Sequence, residues 1–145
     1  MINTLNLNSA RKQIQELKKQ NKAVVVRAKN EEFNRKMFEN KDIDMVVGLE
    51  FHNRKDKMKQ RDSGLNEVLC KLGSKNNIKI GIDINEIRKL KGKEKARVFA
   101  RIMQNIKLCR RTKTKIVLLG VEDRLDVMGF MQCLGGSTGQ GKEAV

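Results

Sequence analysis

The sequence lacks proline, tryptophan and tyrosine, and its aromatic side chains come from five phenylalanines and one histidine. A surface that stacks single-stranded bases on aromatic rings is therefore not expected. A hydrolytic centre built from several histidines is excluded, because His52 is the only one. No apolar run approaches the roughly 20 residues of a membrane-spanning helix, and residues 1–30 contain no continuous apolar signal segment. We expect a soluble intracellular protein with no membrane partner.

The three cysteines, Cys70, Cys109 and Cys133, are odd in number and far apart in the chain. This usage is typical of reduced intracellular thiols rather than of a disulfide framework. We predict that all three fill the core as small apolar side chains. The expected location is the cytoplasm, or the nucleus if the source is eukaryotic.

Positive charge is what the sequence has in excess. It carries 32 Lys and Arg against 17 Asp and Glu, a formal net charge of +15. Residues 86–115 hold 12 of these cations with only Glu86 and Glu94 in opposition. A second cluster contains Arg54, Lys55, Lys57, Lys59 and Arg61. Such clustering indicates a polyanionic partner, and nucleic acid is the leading class.

Short β-rich runs alternate with amphipathic helical patterns over the whole chain, which favours the α/β class in a single domain, 1–145. Continuous apolar runs at 24–26 and 116–119 are typical of parallel strands that are covered on both faces. The sequence therefore predicts about five mostly parallel strands. They are expected at residues 4–7, 23–28, 45–50, 78–84 and 116–121.

Two helices and a tail follow from local patterns. Asp62 and Ser63 offer capping oxygens before an apolar repeat that is expected to end near Asn76 and Asn77. A helix over about 94–111 buries one apolar side and carries a basic side. The basic residues predicted on that side are Lys93, Arg97, Arg101, Lys107 and Arg111. The glycine-rich segment 135–145 is predicted to be a flexible tail.

Arg97 and Arg101 lie four residues apart, so a helix places two like charges side by side at a cost of a few tenths of a kcal/mol. We interpret the pair as one that an external phosphate offsets. Segment 136–142 matches seven positions of a phosphate-binding loop, but Glu143 stands where a hydroxyl must bind Mg²⁺, which argues against a nucleotide site.

Several short motifs appear in an order that resembles one protein family. The motifs are NRKD at 53–56, SGLN at 63–66, VLCKL at 68–72, NN at 76–77, Gly81, RIMQNI at 101–106, LCR at 108–110, Asp126, LG at 134–135 and KEA at 142–144. This order resembles the thirty-kilodalton protein subunit of ribonuclease P, called component three in archaea. The resemblance covers about residues 43–145, and family members usually begin with a further strand-helix-strand unit.

The resemblance implies a TIM-barrel-like fold and a role in 5′ maturation of precursor tRNA. Because five strands cannot close an eight-stranded barrel, we expect an incomplete barrel. As in the family, the chain would bind and stabilise the catalytic RNA, precursor tRNA indirectly, the smaller α/β subunit and other ribonuclease P proteins. It would not itself be catalytic or bind a cofactor, with Mg²⁺ expected at the RNA.

The candidate RNA-binding residues have two origins. The resemblance implies Arg54, Lys55, Lys71, Arg101 and Arg110. Charge and helical geometry add Arg97, Arg111, Lys113 and Lys115.

Two alternatives stay open at this point. Carboxylates at predicted strand ends, namely Glu50, Asp83, Glu122 and Asp123, are placed where parallel α/β sheets hold metals, so a metal-dependent phosphoesterase is one. A general basic RNA-binding or ribosome-associated module is the other.

Overall fold

A computed structural model describes residues 1–56, 58 and 61–145, so the predicted cations Lys57 and Lys59 lie outside the described residues. Strands and helices alternate along the chain. The strands are β1 Val25–Arg27, β2 Met45–Val47, β3 Lys79–Asp83 and β4 Ile116–Leu119. The helices are α1 Leu7–Lys19, α2 Glu31–Phe38, α3 Glu67–Asn76, α4 Ile84–Lys89, α5 Gly92–Thr112, α6 Arg124–Cys133 and α7 Thr138–Glu143, with a 3-10 turn at Leu49–Phe51.

The four strands form one parallel sheet in the order β1-β2-β3-β4. Neighbours in sequence are neighbours in the sheet, as in a (βα) barrel, but four strands leave the barrel open. The predicted α/β class and partial TIM-barrel-like arrangement are confirmed. At the free edge of β1, Ile2 forms a parallel bridge to Val26.

The strand predicted at residues 4–7 is wrong, because this segment starts a helix. The side chain of Asn6 caps α1 and accepts hydrogen bonds from the backbone of Asn8 at 2.9 Å and Ser9 at 3.2 Å. A side chain that satisfies free N–H groups stabilises the first turn of a helix in preference to a strand. In this region it is Ile2 that pairs with the sheet, through a single parallel bridge to Val26 of β1.

Helix α3 ends where the sequence predicted, at Asn76, but begins later than expected. Its N-cap is Asn66, whose side chain accepts from the backbone of Leu69 at 2.9 Å. Asp62 and Ser63 do not cap it, because the chain turns at Gly64, with a φ of 78°, before the helix starts. Both side chains therefore have other partners.

The tail predicted to be a flexible loop contains helix α7. Ser137 and Gln140 form a reciprocal capping box, which offsets the low helix propensity of the glycines. The helix packs on the fold through Gly141, which is buried close to Met128, and the carbonyl of Ala144 accepts from the β4 backbone at Leu118 at 3.0 Å. The glycines here permit close packing.

The core is one contiguous cluster between the sheet and its helices. Cys70 and Cys109 belong to it, as predicted, whereas Cys133 is exposed on α6, so its predicted burial is wrong. Within the described part of the chain, no helix combines the length and the apolar character that crossing a membrane requires.

Candidate nucleic-acid interface

Helix α5 carries a row of four exposed basic side chains, Lys93, Arg97, Lys107 and Arg111, which we name the α5 basic face. At about 100° per residue they fall within an arc of about 80°. None of the four forms an ion pair with another described residue. The only acid of the helix, Glu94, lies outside this arc. Lys93, Arg97 and Lys107 therefore present uncompensated positive charge to solvent, whereas Arg111 also lines a groove that contains Glu67.

Arg101 is not part of this face, although the sequence predicted it there. Its side chain is only 2% exposed, and its guanidinium donates to three backbone carbonyls. The acceptors are Glu50 at 2.9 Å, His52 at 2.7 Å and Arg54 at 2.9 Å. Arg101 cannot reach an RNA phosphate in this arrangement, so its predicted role as an RNA contact is wrong. Burial lowers the pKa of this guanidinium, and Arg97 adds repulsion.

Two of the three carbonyls bound by Arg101, those of His52 and Arg54, belong to the start of a segment that we name the basic loop, residues 52–62, and Glu50 lies just before it. Arg54 closes the loop with a two-pronged ion pair to Asp62, at 2.7 Å from Nε and 3.0 Å from Nη2. The side-chain hydrogen bond from Arg54 holds the pKa of Asp62 well below its usual range. The far end is fixed to α5, since Gln104 donates to the carbonyl of Arg61 at 3.1 Å.

The ring of His52 also stabilises the loop through two hydrogen bonds. Its Nδ1 accepts from the backbone of Arg54 at 3.2 Å, which leaves Nε2 to donate to the Asp62 carbonyl at 3.0 Å. Burial lowers the pKa of the ring and nearby Arg101 adds to the effect, so His52 is neutral at pH 7. These contacts give His52 a structural role within the loop.

The two basic clusters of the sequence therefore meet on one surface. Arg101 and Gln104 bind the loop at the middle of α5, so the loop meets the helix between the two pairs of cations in the α5 basic face. The loop contributes Lys55, which is exposed, and Arg54, whose side chain is 33% exposed and lies 3.6 Å from Glu31. Arg61 is exposed and 3.6 Å from Asp56. Lys55 is thus the described loop cation that forms no ion pair.

The other predicted contacts lie at the C-terminal end of α5, just after it, and on α3. Arg110 and Arg111 are exposed in its last turn, Lys113 caps the helix in the left-handed region, and Lys115 is exposed before β4. Lys71 is exposed on α3 but is held by Glu67 at 2.8 Å. The candidate surface therefore extends from the basic loop along the whole of α5.

A groove of about 830 Å³ lies between the basic loop and α2, α3 and α5. Its charges balance, because four arginines face four acids. They are Arg35, Arg54, Arg61 and Arg111 with Glu31, Glu32, Asp62 and Glu67. The groove is thus less suited to phosphates than the α5 basic face.

The carboxylates of the alternative metal site have separate roles. Asp83 caps α4 and accepts from Asn85 at 2.9 Å, Asp123 caps α6, and Glu122 is exposed. Glu50 is fully buried, neither of its carboxylate oxygens has a hydrogen-bond partner among the residues that the structure describes, and burial raises its pKa to about 7. The described residues contain no group of three or more His, Cys, Asp or Glu positioned to hold a metal ion.

Sequence reasoning missed one polar pair at the carboxyl end of the sheet. Arg27 at the end of β1 forms a two-pronged ion pair with Glu86 of α4, and one of its hydrogen bonds measures 2.8 Å. The guanidinium lies 6.0 Å from the ring of Phe51. The sequence contained one indication of this pair, because Arg27 is a single charged residue at the end of an otherwise apolar strand.

Comparison with known proteins supports the resemblance seen in the sequence. No family model matches the chain. The chain is 26% identical over 136 residues to ribonuclease P protein component 3 of Methanococcus vannielii, covering 89% of this chain and 56% of that protein. The protein of the same name from Methanosarcina acetivorans is 28% identical over 95 residues, or 66% of this chain and 36% of the relative. The predicted resemblance to archaeal component three is confirmed.

A chain in a cryo-EM structure of archaeal ribonuclease P with mature tRNA is similar in fold. The TM-score is 0.79 at 18% sequence identity, over 96% of this chain and 60% of that chain. At this identity the likeness concerns the fold. The present chain spans little more than half the length of the Methanococcus relatives it matches.

Proposed function

We propose that this chain is a protein subunit of ribonuclease P that binds and stabilises the catalytic RNA for 5′ maturation of precursor tRNA. The observation that carries the proposal is the α5 basic face, four exposed cations that form no ion pair with any described residue, next to the basic loop. The resemblance to archaeal component three selects the RNA. Cleavage belongs to the RNA and its Mg²⁺, and this chain is not catalytic.

The physical role is to lower repulsion between RNA phosphates. Each lysine or arginine that contacts a phosphate releases condensed counterions, so binding weakens as salt rises. The two cations of each pair, Lys93 with Arg97 and Lys107 with Arg111, are about 6 Å apart along the helix axis, within the Debye length of about 10 Å at 0.1 M salt, so each pair acts on one stretch of RNA backbone. A compact catalytic RNA is thereby stabilised at lower Mg²⁺ concentration.

The partners follow from the open barrel as well as from the resemblance. The outer edge of β1 is bridged by Ile2, and on β4 the backbone N–H of Leu118 donates to the carbonyl of Ala144. An open sheet still has two edges, and the backbone groups of an edge strand can pair with another chain. The smaller α/β subunit and other ribonuclease P proteins are the proposed protein partners, with precursor tRNA reached indirectly. The archaeal relatives favour a cytoplasmic location.

Reconstitution tests the proposal. The full chain is added to an archaeal ribonuclease P RNA with its other protein subunits, and precursor tRNA cleavage is followed as Mg²⁺ is varied. We expect the chain to lower the Mg²⁺ needed for half-maximal cleavage. No effect on the Mg²⁺ requirement, combined with equal affinity for unrelated RNAs, would instead indicate a general basic RNA-binding module.

The phosphoesterase alternative has its own assay. Purified chain without RNA is incubated with a phosphodiester substrate and Mg²⁺, beside Asp83→Asn. We expect no hydrolysis by either protein. Mg²⁺-dependent hydrolysis that Asp83→Asn abolishes would contradict the scaffold role.

A further inference from the structure

The α5 basic face is an array of cations on one continuous helix. At about 1.5 Å per residue, its four cations span about 27 Å along the axis, in two pairs separated by about 15 Å. The opposite side of the helix is fixed in the core by Val98, Ile102 and Ile106. The helix backbone that carries the cations is therefore fixed, and a ligand whose phosphates are already held in a matching arrangement loses the least conformational freedom on binding.

The same surface offers no ring for bases to stack on. Phe33 and Phe38 are buried, and Phe51, Phe99 and Phe130 are half-buried. Phe99 and Phe130 pack against each other with centroids 6.2 Å apart. The only other aromatic ring, His52, has 9% of its side chain exposed. Proteins that bind single strands gain much of their affinity from stacking on exposed rings, at about 1 to 3 kcal/mol per base.

We infer that the α5 basic face binds double-helical RNA through its backbone and discriminates against single strands, an inference that rests on the proposed function. A double helix holds its phosphates in fixed positions, so few conformations are lost when they meet a row of cations. A single strand must be ordered on binding and gains no stacking in return.

The test measures affinity for two forms of one RNA. A fluorescent duplex of about 16 base pairs, the length that a double-stranded RNA-binding domain spans, is compared with one of its strands over a range of salt concentrations. We expect the full chain to bind the duplex at least about tenfold more tightly than the strand, a difference of about 1.4 kcal/mol.

Matched triple variants locate the site. Arg97→Ala with Lys107→Ala and Arg111→Ala removes three charges from α5. Arg11→Ala with Lys12→Ala and Lys19→Ala removes three exposed charges from α1, none of them in an ion pair with a described residue. The α5 variant is expected to lose the duplex preference, whereas the α1 variant retains it. Thermal unfolding verifies that both variants fold.

The outcomes separate this inference from the proposed function. Equal affinity of the full chain for duplex and strand, still sensitive to the α5 variant, would overturn duplex selectivity and leave RNA binding intact. Equal effects of the two triple variants would remove the α5 basic face as the site. Absence of binding to either RNA and to ribonuclease P RNA would overturn the proposed function itself.

Discussion

Arg101 donates a 2.9 Å hydrogen bond from Nη2 to the backbone carbonyl of Arg54, so one buried arginine fixes the backbone of another that is partly exposed. Arg101 also holds the carbonyls of Glu50 and His52. A guanidinium suits this role because its five N–H groups form a rigid planar fork. The basic loop and α5 are thereby joined as one unit.

Replacing Arg101 tests whether its hydrogen bonds hold the basic loop against α5. Arg101→Met removes the donors to three carbonyls, and we expect the free energy of unfolding to fall by about 3 kcal/mol, because each abandoned buried acceptor costs about 1 kcal/mol or more. Urea denaturation at pH 7 measures the change. Arg101→Lys, which keeps the charge but loses the fork, is expected to fall between wild type and Arg101→Met.

Arg97→Ala is the matched control on the same helix. Arg97 is exposed, so we expect its removal to change stability by no more than about 0.5 kcal/mol. Equal losses of stability for Arg97→Ala and Arg101→Met would show that Arg101 does not hold the loop.

Gly64 in the SGLN motif is predicted to tolerate no side chain. A Cβ at this position would lie 1.9 Å from the carbonyl oxygen of Leu49, and the φ of 78° is unfavourable for other residues. We expect Gly64→Ala to cost roughly 3 kcal/mol or more, from strain and overpacking together. Thermal and urea unfolding measure the loss.

Gly129 provides the comparison, because nothing lies within 4 Å of a Cβ added there and the residue is inside helix α6. Gly129→Ala is expected to stabilise the protein by about 0.5 to 1 kcal/mol through helix propensity. A neutral Gly64→Ala would mean that the turn before α3 differs from the one described.

The buried Glu50 is predicted to make stability depend on pH. Burial raises its pKa from 4.5 to about 7, with Glu86 and Asp83 adding repulsion and Arg27 opposing the rise. The folded protein therefore keeps a proton that the unfolded chain loses between about pH 4.5 and 7. Stability from this group is complete below pH 4.5 and is lost as the pH rises through 7, by roughly 3 kcal/mol.

The variant Glu50→Gln isolates the contribution of Glu50 to the pH dependence of stability, because a glutamine side chain cannot ionise. We expect the variant to gain stability relative to wild type as the pH rises from 4.5 to 8, and no further above that. Chemical denaturation of both proteins across this range measures the difference. A difference that stays constant with pH would contradict a protonated, buried Glu50.

Much of the fold could be predicted from periodicity. The apolar runs at 24–26 and 116–119 correctly indicated parallel strands, and the 3.6-residue pattern correctly indicated α5. Capping was harder, since Asp62, Ser63 and Asn66 all offer suitable oxygens. The turn at Gly64 decides among them, and it depends on contact with Leu49, which is distant in sequence.

The site was less predictable, because burial of a charged residue is a tertiary property. Arg97 and Arg101 are the same residue type on one helix, yet one is exposed and the other is 2% exposed. On a helical projection Arg101 lies at the border between the basic side and the buried side of α5. It is buried because it donates hydrogen bonds to backbone carbonyls of a segment about 50 residues earlier in the chain. The pairing of Arg27 with Glu86 is equally remote in sequence.

RNA binding by the α5 basic face is tested most directly by the salt dependence of affinity for an archaeal ribonuclease P RNA. We compare wild type with the α5 and α1 triple variants and include an unrelated structured RNA of equal length. Wild type should bind ribonuclease P RNA more tightly than the unrelated RNA. For each protein, the logarithm of the binding constant is plotted against the logarithm of the salt concentration. The slope for the α5 variant should be shallower than that of wild type by about 0.7 to 0.9 for each phosphate that the variant no longer binds. Wild-type affinity that is equal for both RNAs, with the same slope in all three proteins, would contradict both the site and the proposed function.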